Sequence, residues 1–189
     1  MAQVLFITPQ YLKKNTSING SVDDNLILPS IRLAQDKFIS PYLGDDLMER
    51  LKSDEENKTL SGVYLLLMDN FIRPCVIWWT MFEMISDLAY KYDNGSIVQR
   101  ITNDTQPVDL NVIEGQRQRF KSNAEYYCKR LRDYLCHNSS LFPEYSSNTA
   151  PERSPIGKMD MLSWGFSHGN TAMSRSAWGK DEKIYKPRT

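Results

Sequence analysis

A chain of 189 residues, 41% apolar and 24% charged, is long enough for one globular domain with a segment left over. Its net charge is zero, but residues 145–189 hold seven Lys/Arg against four Asp/Glu, which makes the end +3 and the body −3; that asymmetry is too mild for the dense basic face of a nucleic-acid binder. The longest uncharged run of the most apolar segment, Pro74 to Phe82, falls far short of a membrane span, and no membrane partner is expected.

The opening MAQVLFITPQ has no basic n-region and too short an apolar run for a secretory leader, so synthesis in a cytoplasm is expected. Thr8-Pro9 then reads as N-cap and first helical position of a short helix through Tyr11 and Leu12. NTSINGS (15–21) is a turn. Ser21 can cap a second helix, with Asp23 and Asp24 in a first turn where the helix dipole favours carboxylates. Ile27, Ile31, Ala34 and Phe38 recur at helical spacing, with Pro29 set to bend or delay the helix. SPYLG (40–44) should stop it, and Asp45 to Leu51 reads as one more short helix.

From Val63 to Tyr90, 20 of 28 residues are apolar or aromatic, and Asp69, Arg73, Glu83 and Asp87 are the charged ones. At about 100° per residue these four share an arc of roughly 80°. The stripe survives Pro74, which predicts one kinked helix. Two readings stay open: a central core helix, and a helix with one face, including Trp78 or Trp79, turned to a neighbouring subunit. Asp93-Asn94-Gly95 is a stop and turn, and SIVQRIT (96–102) suits a short strand or hairpin arm. Asp109 can cap a long helix to about His137, with an apolar stripe of Ile113, Phe120, Ala124, Tyr127, Leu131 and Leu135. Glu125–Lys129 and Lys129–Asp133 are opposite charges four apart on its surface. SSLFPEY (139–145) ends the folded body, giving a division into a helical body, 1–145, and an arm, 146–189. The fold class is mainly α: a compact helical bundle around a long kinked central helix, one small β-hairpin or strand element, and an extended C-terminal tail.

Residues that could carry chemistry do not cluster. His137 and His168 belong to no ligand set, and Cys136-His137 diverge by about 100° on a helix, which is no metal bite. No phosphate loop, dinucleotide fingerprint, zinc-helix motif or nucleophile elbow occurs. The acidic doublets Asp23-Asp24 and Asp45-Asp46 and the run Asp54-Glu55-Glu56 fit helix starts and a solvated loop. Cys128 and Cys136 lie about 12 Å apart along one helix, too far to bridge, so they and Cys75 are expected as reduced thiols. Six Asn-x-Ser/Thr triplets, at Asn15, Asn19, Asn57, Asn94, Asn103 and Asn138, read as chance in an Asn/Ser-rich chain. The expectation is a non-enzyme without cofactor or metal. Arg117, Lys121 and Arg132 belong to a scatter of cations on the 109–137 helix, read either as a solvated face or as a face lining a DNA channel.

SPIGKMDMLSWGFSHGNTAMSRSAWGK (154–180) is the clearest functional clue. Met159, Met161, Leu162, Trp164, Phe166 and Trp178 keep no helical or strand period among small polar residues. Large apolar side chains in such a segment suit anchors that order on a partner, against the plain alternative of a disordered tail with incidental aromatics.

SVDDNLILPSIRLAQDKFISPYLGDDLMERL (21–51) resembles the opening of phage head–tail connector proteins, also called adaptor or head-completion proteins. The shared pattern is an acidic helix start, an apolar face, an Ala-Gln near the middle, then an aromatic residue and Leu-Gly. DNGSIVQR and NAEYYCKRLRDYLCHNSSLFPEY (123–145) are similar to connector proteins of phages of Bacteroidetes-type hosts, crAss-like phages included. The likeness spans roughly 8–145. It implies a non-enzymatic virion protein at the head–tail interface, made in the host cytoplasm. Its copies would form a ring, usually a dodecamer, below the portal protein and against adjacent tail or ring proteins, with transient contact to genomic DNA in the channel. In that family a C-terminal extension often docks on the portal, which matches the six anchors. The rival expectation is a helical nucleic-acid-binding accessory protein using the cations of 117–132.

Overall fold

The computed structural model describes residues 4–18, 20–93, 96–99, 109–147, 149 and 155. The protein is mainly helical. Helix α1 (Pro9–Asn15) begins as its sequence dictates: the Thr8 hydroxyl accepts from the Tyr11 amide at 3.1 Å, and Pro9 needs no donor at the first position. Helix α2 (Asp24–Ala34) starts later than expected. Asp23, not Ser21, is its N-cap, accepting from the Asn25 amide at 2.9 Å. The Lys13 ammonium explains the delay: it donates to the Gly20 and Val22 carbonyls and pairs with Asp24 at 2.7 Å, which holds 20–22 as a turn. Pro29 sits inside α2 without ending it.

Two prolines expected to stop or kink a helix are met by the same local device. A π turn, Gln35–Ile39, follows α2, and Pro41 opens α3 (Ser40–Leu43) two residues later. A second π turn, Met68–Ile72, follows α5 (Gly62–Leu67), and Pro74 opens α6 (Arg73–Ala89). A proline in an α-helix lacks its N–H and presses its ring on the carbonyl four residues back. In both places the residue before the proline instead donates five residues back, Ser40 to Gln35 and Arg73 to Met68, and the wider turn makes room. SPYLG therefore continues the helical run, and the stop is Gly44, whose φ of 76° lies in the region glycine favours. Helix α4 (Asp45–Glu56) runs a turn beyond the expected Leu51.

Tyr90–Asp93 (β1) pairs antiparallel with Ser96–Gln99 (β2) in a register that sets Tyr90 against Gln99. Helix α7 (Leu110–His137) is capped by Asp109, as expected. Its buried residues are Ala124, Cys128, Leu131 and Leu135, while Ile113, Phe120 and Tyr127 of the expected stripe are half-buried. Glu125 meets Lys121, at 3.8 Å, and not Lys129. A 3-10 turn, Ser139–Leu141, leads to α8 (Pro143–Ser147), which crosses the expected body boundary at 145. Phe142 and Tyr145 are buried, and the Thr149 amide and hydroxyl both donate to Asp46 at 2.6 and 3.0 Å, so the body closes beyond Tyr145.

Helix α6 is the centre of the core and packs chiefly on α7 and α2. Its buried residues, from Cys75 to Met84, cover most of its circumference, which is the central-helix reading of its sequence. The N-terminal segment is fastened to this core by side chains. Gln35, fully buried, accepts from the Phe6 amide and donates to the Val4 carbonyl, both at 3.0 Å, and Arg73 Nε donates to the Phe6 carbonyl at 3.0 Å. Arg73 is itself held by Asp69 and by Glu55 at 3.2 Å.

Candidate functional site

The six expected anchors of the arm, Met159, Met161, Leu162, Trp164, Phe166 and Trp178, lie outside the described residues. Pro155, the last described residue, is buried.

Of the two tryptophans weighed for a subunit face, Trp79 belongs to the core. Its indole stacks on Phe38 with ring centres 3.7 Å apart and planes 2° from parallel, Phe82 meets both rings edge-on, and its N–H donates to the Cys128 sulfur at 3.1 Å. A tryptophan satisfied on every side has nothing left for a neighbour. Trp78 is half-buried, 6.0 Å from Phe120.

The cations Arg117, Lys121 and Arg132 do not converge. They spread along α7 and each has its own local tie: Arg117 lies over the Phe82 ring at 4.3 Å with Glu114 3.8 Å away, Lys121 faces Glu125, and Arg132 meets Asp133 at 3.4 Å. Arg119, Lys129 and Arg130 of α7 are exposed, and Arg130 lies over the Phe71 ring at 4.8 Å. Arg117 also lines a recess of about 330 Å³ between α2, α6 and α7, with Leu33, Glu83 and Asp87. Its Nε is buried there without a hydrogen-bond partner. Glu83 already binds Lys37 at 2.8 Å. Ser30 and Ser86 line it as well, and the recess can hold a small polar group.

Among the described residues no three His, Cys, Asp or Glu side chains gather as a metal-holding group. The three cysteines are free thiols. Burial pushes the Cys75 thiol well up, so it stays neutral and donates to the Phe71 carbonyl at 3.0 Å. Burial, helped by the hydrogen bond to the Glu144 carboxylate at 2.8 Å, pushes the Tyr64 hydroxyl up to about 12. Tyr145 is pushed up by burial and by its contact with Cys136 at 3.7 Å. These groups sit in structural roles, tying α5 to α8 and α8 to α7.

Among the described residues, exposed apolar surface is where the body stands out. Val63, Leu65 and Leu66 on α5 and Leu110, Val112 and Tyr126 on α7 are exposed large side chains, as are Leu33 on α2 and Leu141 in the 3-10 turn. Sequence reasoning counted α5 into the core. A signal was present: Leu65, Leu66 and Leu67 sweep about 200° of a helix, too wide an arc to bury on one side. Only Leu67 of the three is buried.

The profile of a family of unknown function, DUF6712, matches residues 39–155, ending at the last described residue of the body. No curated protein and no solved structure matches the chain.

Proposed function

The chain belongs to the DUF6712 family of unknown function, and we propose that it is a structural virion protein, a head–tail adaptor whose copies form a ring below the portal and extend the DNA channel toward the tail. The setting comes from the resemblance of residues 21–51 and 123–145 to connector proteins. The observation that supports assembly is the exposed apolar surface of α5 and α7 on a body whose own core is filled. In this reading the run Gly62–Ala89 acts as one long central helix kinked at its π turn, β1–β2 is a short hairpin, and the docking arm is the chain that follows Pro155.

The work is mechanical. Bodies pack side by side, and the arm docks on the portal or an adjacent ring through Met159, Met161, Leu162, Trp164, Phe166 and Trp178. Burying one large aromatic yields about 2–3 kcal/mol, while ordering backbone costs about 1–2 kcal/mol per residue. Three aromatics do not offset an arm of this length, so main-chain hydrogen bonds and repetition around the ring supply the rest. The test is truncation after Pro155, which keeps the Thr149–Asp46 bonds. The shortened chain should retain its helicity and lose attachment to the portal complex; unchanged attachment would remove the arm from the mechanism.

The exposed cations Arg119, Lys129 and Arg130 favour one other reading, a helical nucleic-acid-binding accessory. It requires duplex affinity that falls steeply with salt and drops when Arg119 and Lys129 become glutamine.

A further inference from the structure

Two of the three cysteines meet in the core, on different helices. Cys75 of α6 and Cys128 of α7 are both fully buried. Ring contacts set the two helices antiparallel: Phe71, in the π turn before α6, stacks on Tyr134 at 4.1 Å, and Arg117 lies over Phe82 at 4.3 Å. Cys75 falls between Phe71 and Phe82, and Cys128 between Arg117 and Tyr134. The Trp79 indole, one turn beyond Cys75 on the same face of α6, donates to the Cys128 sulfur at 3.1 Å. The Cys75 and Cys128 side chains are within hydrogen-bond reach of each other. Packed helix axes lie about 8–10 Å apart, with Cα atoms about 2.3 Å from each axis. Facing Cα atoms therefore come within about 3.4–5.4 Å, which overlaps the span of about 4.4–6.8 Å that a disulfide needs.

The two sulfurs are not equivalent. The hydrogen bond with Cys75 lowers the Cys128 thiol, burial opposes, and the Trp79 donor lowers it further. Burial, and then the same contact with Cys128, keep Cys75 protonated. Its one proton is also claimed by the Phe71 carbonyl at 3.0 Å. The charged groups that bear on the pair are Arg130 on Cys75 and Glu125 on Cys128, both from α7. From α3 comes Tyr42, whose hydroxyl is pushed up by burial and then by Cys128. Cys128 is thus the sulfur able to attack, since the thiolate is the reactive form, and Cys75 is the one placed to resolve.

We infer that Cys75 and Cys128 are a disulfide-forming pair, a redox-sensitive clamp that joins α6 to α7 when a small peroxide reaches the core. The Cys128 thiolate attacks one oxygen of hydrogen peroxide and the O–O bond breaks. Cys128 becomes a sulfenic acid, and the hydroxide that leaves takes up the proton Cys128 had lost, as water. The Cys75 sulfur then gives up its proton and attacks the Cys128 sulfur. The S–O bond breaks, the hydroxide leaves with that proton as a second water, and the S–S bond forms. Two thiols lose two electrons and two protons, and one peroxide is reduced to two waters. Full burial of both sulfurs favours an oxidant this small. The bond would close a long loop that holds β1, β2 and the first half of α7, and it needs no second chain.

The test exposes the full chain to hydrogen peroxide and maps its peptides by mass without reductant. It is run on the unaltered chain and on Cys136→Ser, which removes the half-buried third thiol. Both should yield a linked Cys75–Cys128 peptide pair. The thermal midpoint of the oxidised chain should rise by about 5 °C or more, as closing a long loop does. Dithiothreitol should reverse the link and the rise together. Cys75→Ser should give neither, with Cys128 carried on to sulfinic acid. Thiols left unlinked after prolonged exposure of the folded chain, or sulfinic acid at Cys128 with Cys75 in place, overturn the pairing. A Cys75→Ser chain whose midpoint rises as much overturns the clamp.

Discussion

Replacing Gln35 by leucine probes how the N-terminal segment is held. The buried Gln35 amide both accepts from the Phe6 N–H and donates to the Val4 carbonyl. Leucine fills the space and can do neither. The Phe6 amide is left buried without an acceptor, at about 1–3 kcal/mol. The half-buried Val4 carbonyl can turn to water and adds less, and leucine's better burial returns part of the loss, for a net cost of about 2 kcal/mol. For a domain of this size that lowers the thermal midpoint by about 4–8 °C. Thermal unfolding followed by circular dichroism measures the shift, and amide exchange at Phe6 reports the freed donor directly. A Gln35→Leu chain that melts with the unaltered protein and keeps the Phe6 amide protected would refute this account. Gln35→Glu is the sharper companion. A buried glutamic acid can restore both bonds only when protonated, so its folded-state pKa is raised and its stability is present at low pH and lost as pH rises through that value.

Trp79→Ala should destabilise by about 3–5 kcal/mol, because it empties the stack on Phe38 and leaves Cys128 without the indole donor; urea unfolding measures it. Gly115→Ala should stabilise the chain by about 1 kcal/mol of helix propensity, since a side chain there meets nothing within 4 Å, and thermal unfolding reads the gain. Tyr64 titrates at about 12 in the folded chain against 10.0 for its ordinary value. Its folded pKa is raised, so the stability it contributes is complete below pH 10 and lost as pH rises from 10 through 12. Tyr64→Phe should flatten the loss of stability in that window, read from unfolding midpoints across it.

Local chemistry was legible in the chain and long-range chemistry was not. The caps at Thr8 and Asp109 could be read because a capping oxygen bonds an amide two or three residues on. Ser21 and Asp23 are equally good caps, and only Lys13, from the preceding helix, decides between them. Pro41 and Pro74 look alike in sequence as breakers, yet a π turn ahead of each carries the helical run on. The apolar density of 63–90 marked a helical stretch, which the structure divides into α5, a π turn and α6. It did not mark which end protrudes, since Leu66 and Leu67 differ in burial only through what α6, α7 and α8 leave uncovered. Trp78 and Trp79 are adjacent and separated by contacts no pattern shows: Phe38 and Cys128 claim one of them from two other elements. The cations of α7 were visible as a group, but their individual partners, Phe82 for Arg117 and Phe71 for Arg130, come from α6 and the π turn before it.

Native mass spectrometry of the full chain over rising concentration tests most directly whether this 21.9 kDa polypeptide is a building block. A single closed assembly, one discrete multiple of the subunit mass that replaces the monomer without an open ladder of larger species, is the predicted result. A chain that remains a monomer at every concentration would contradict it.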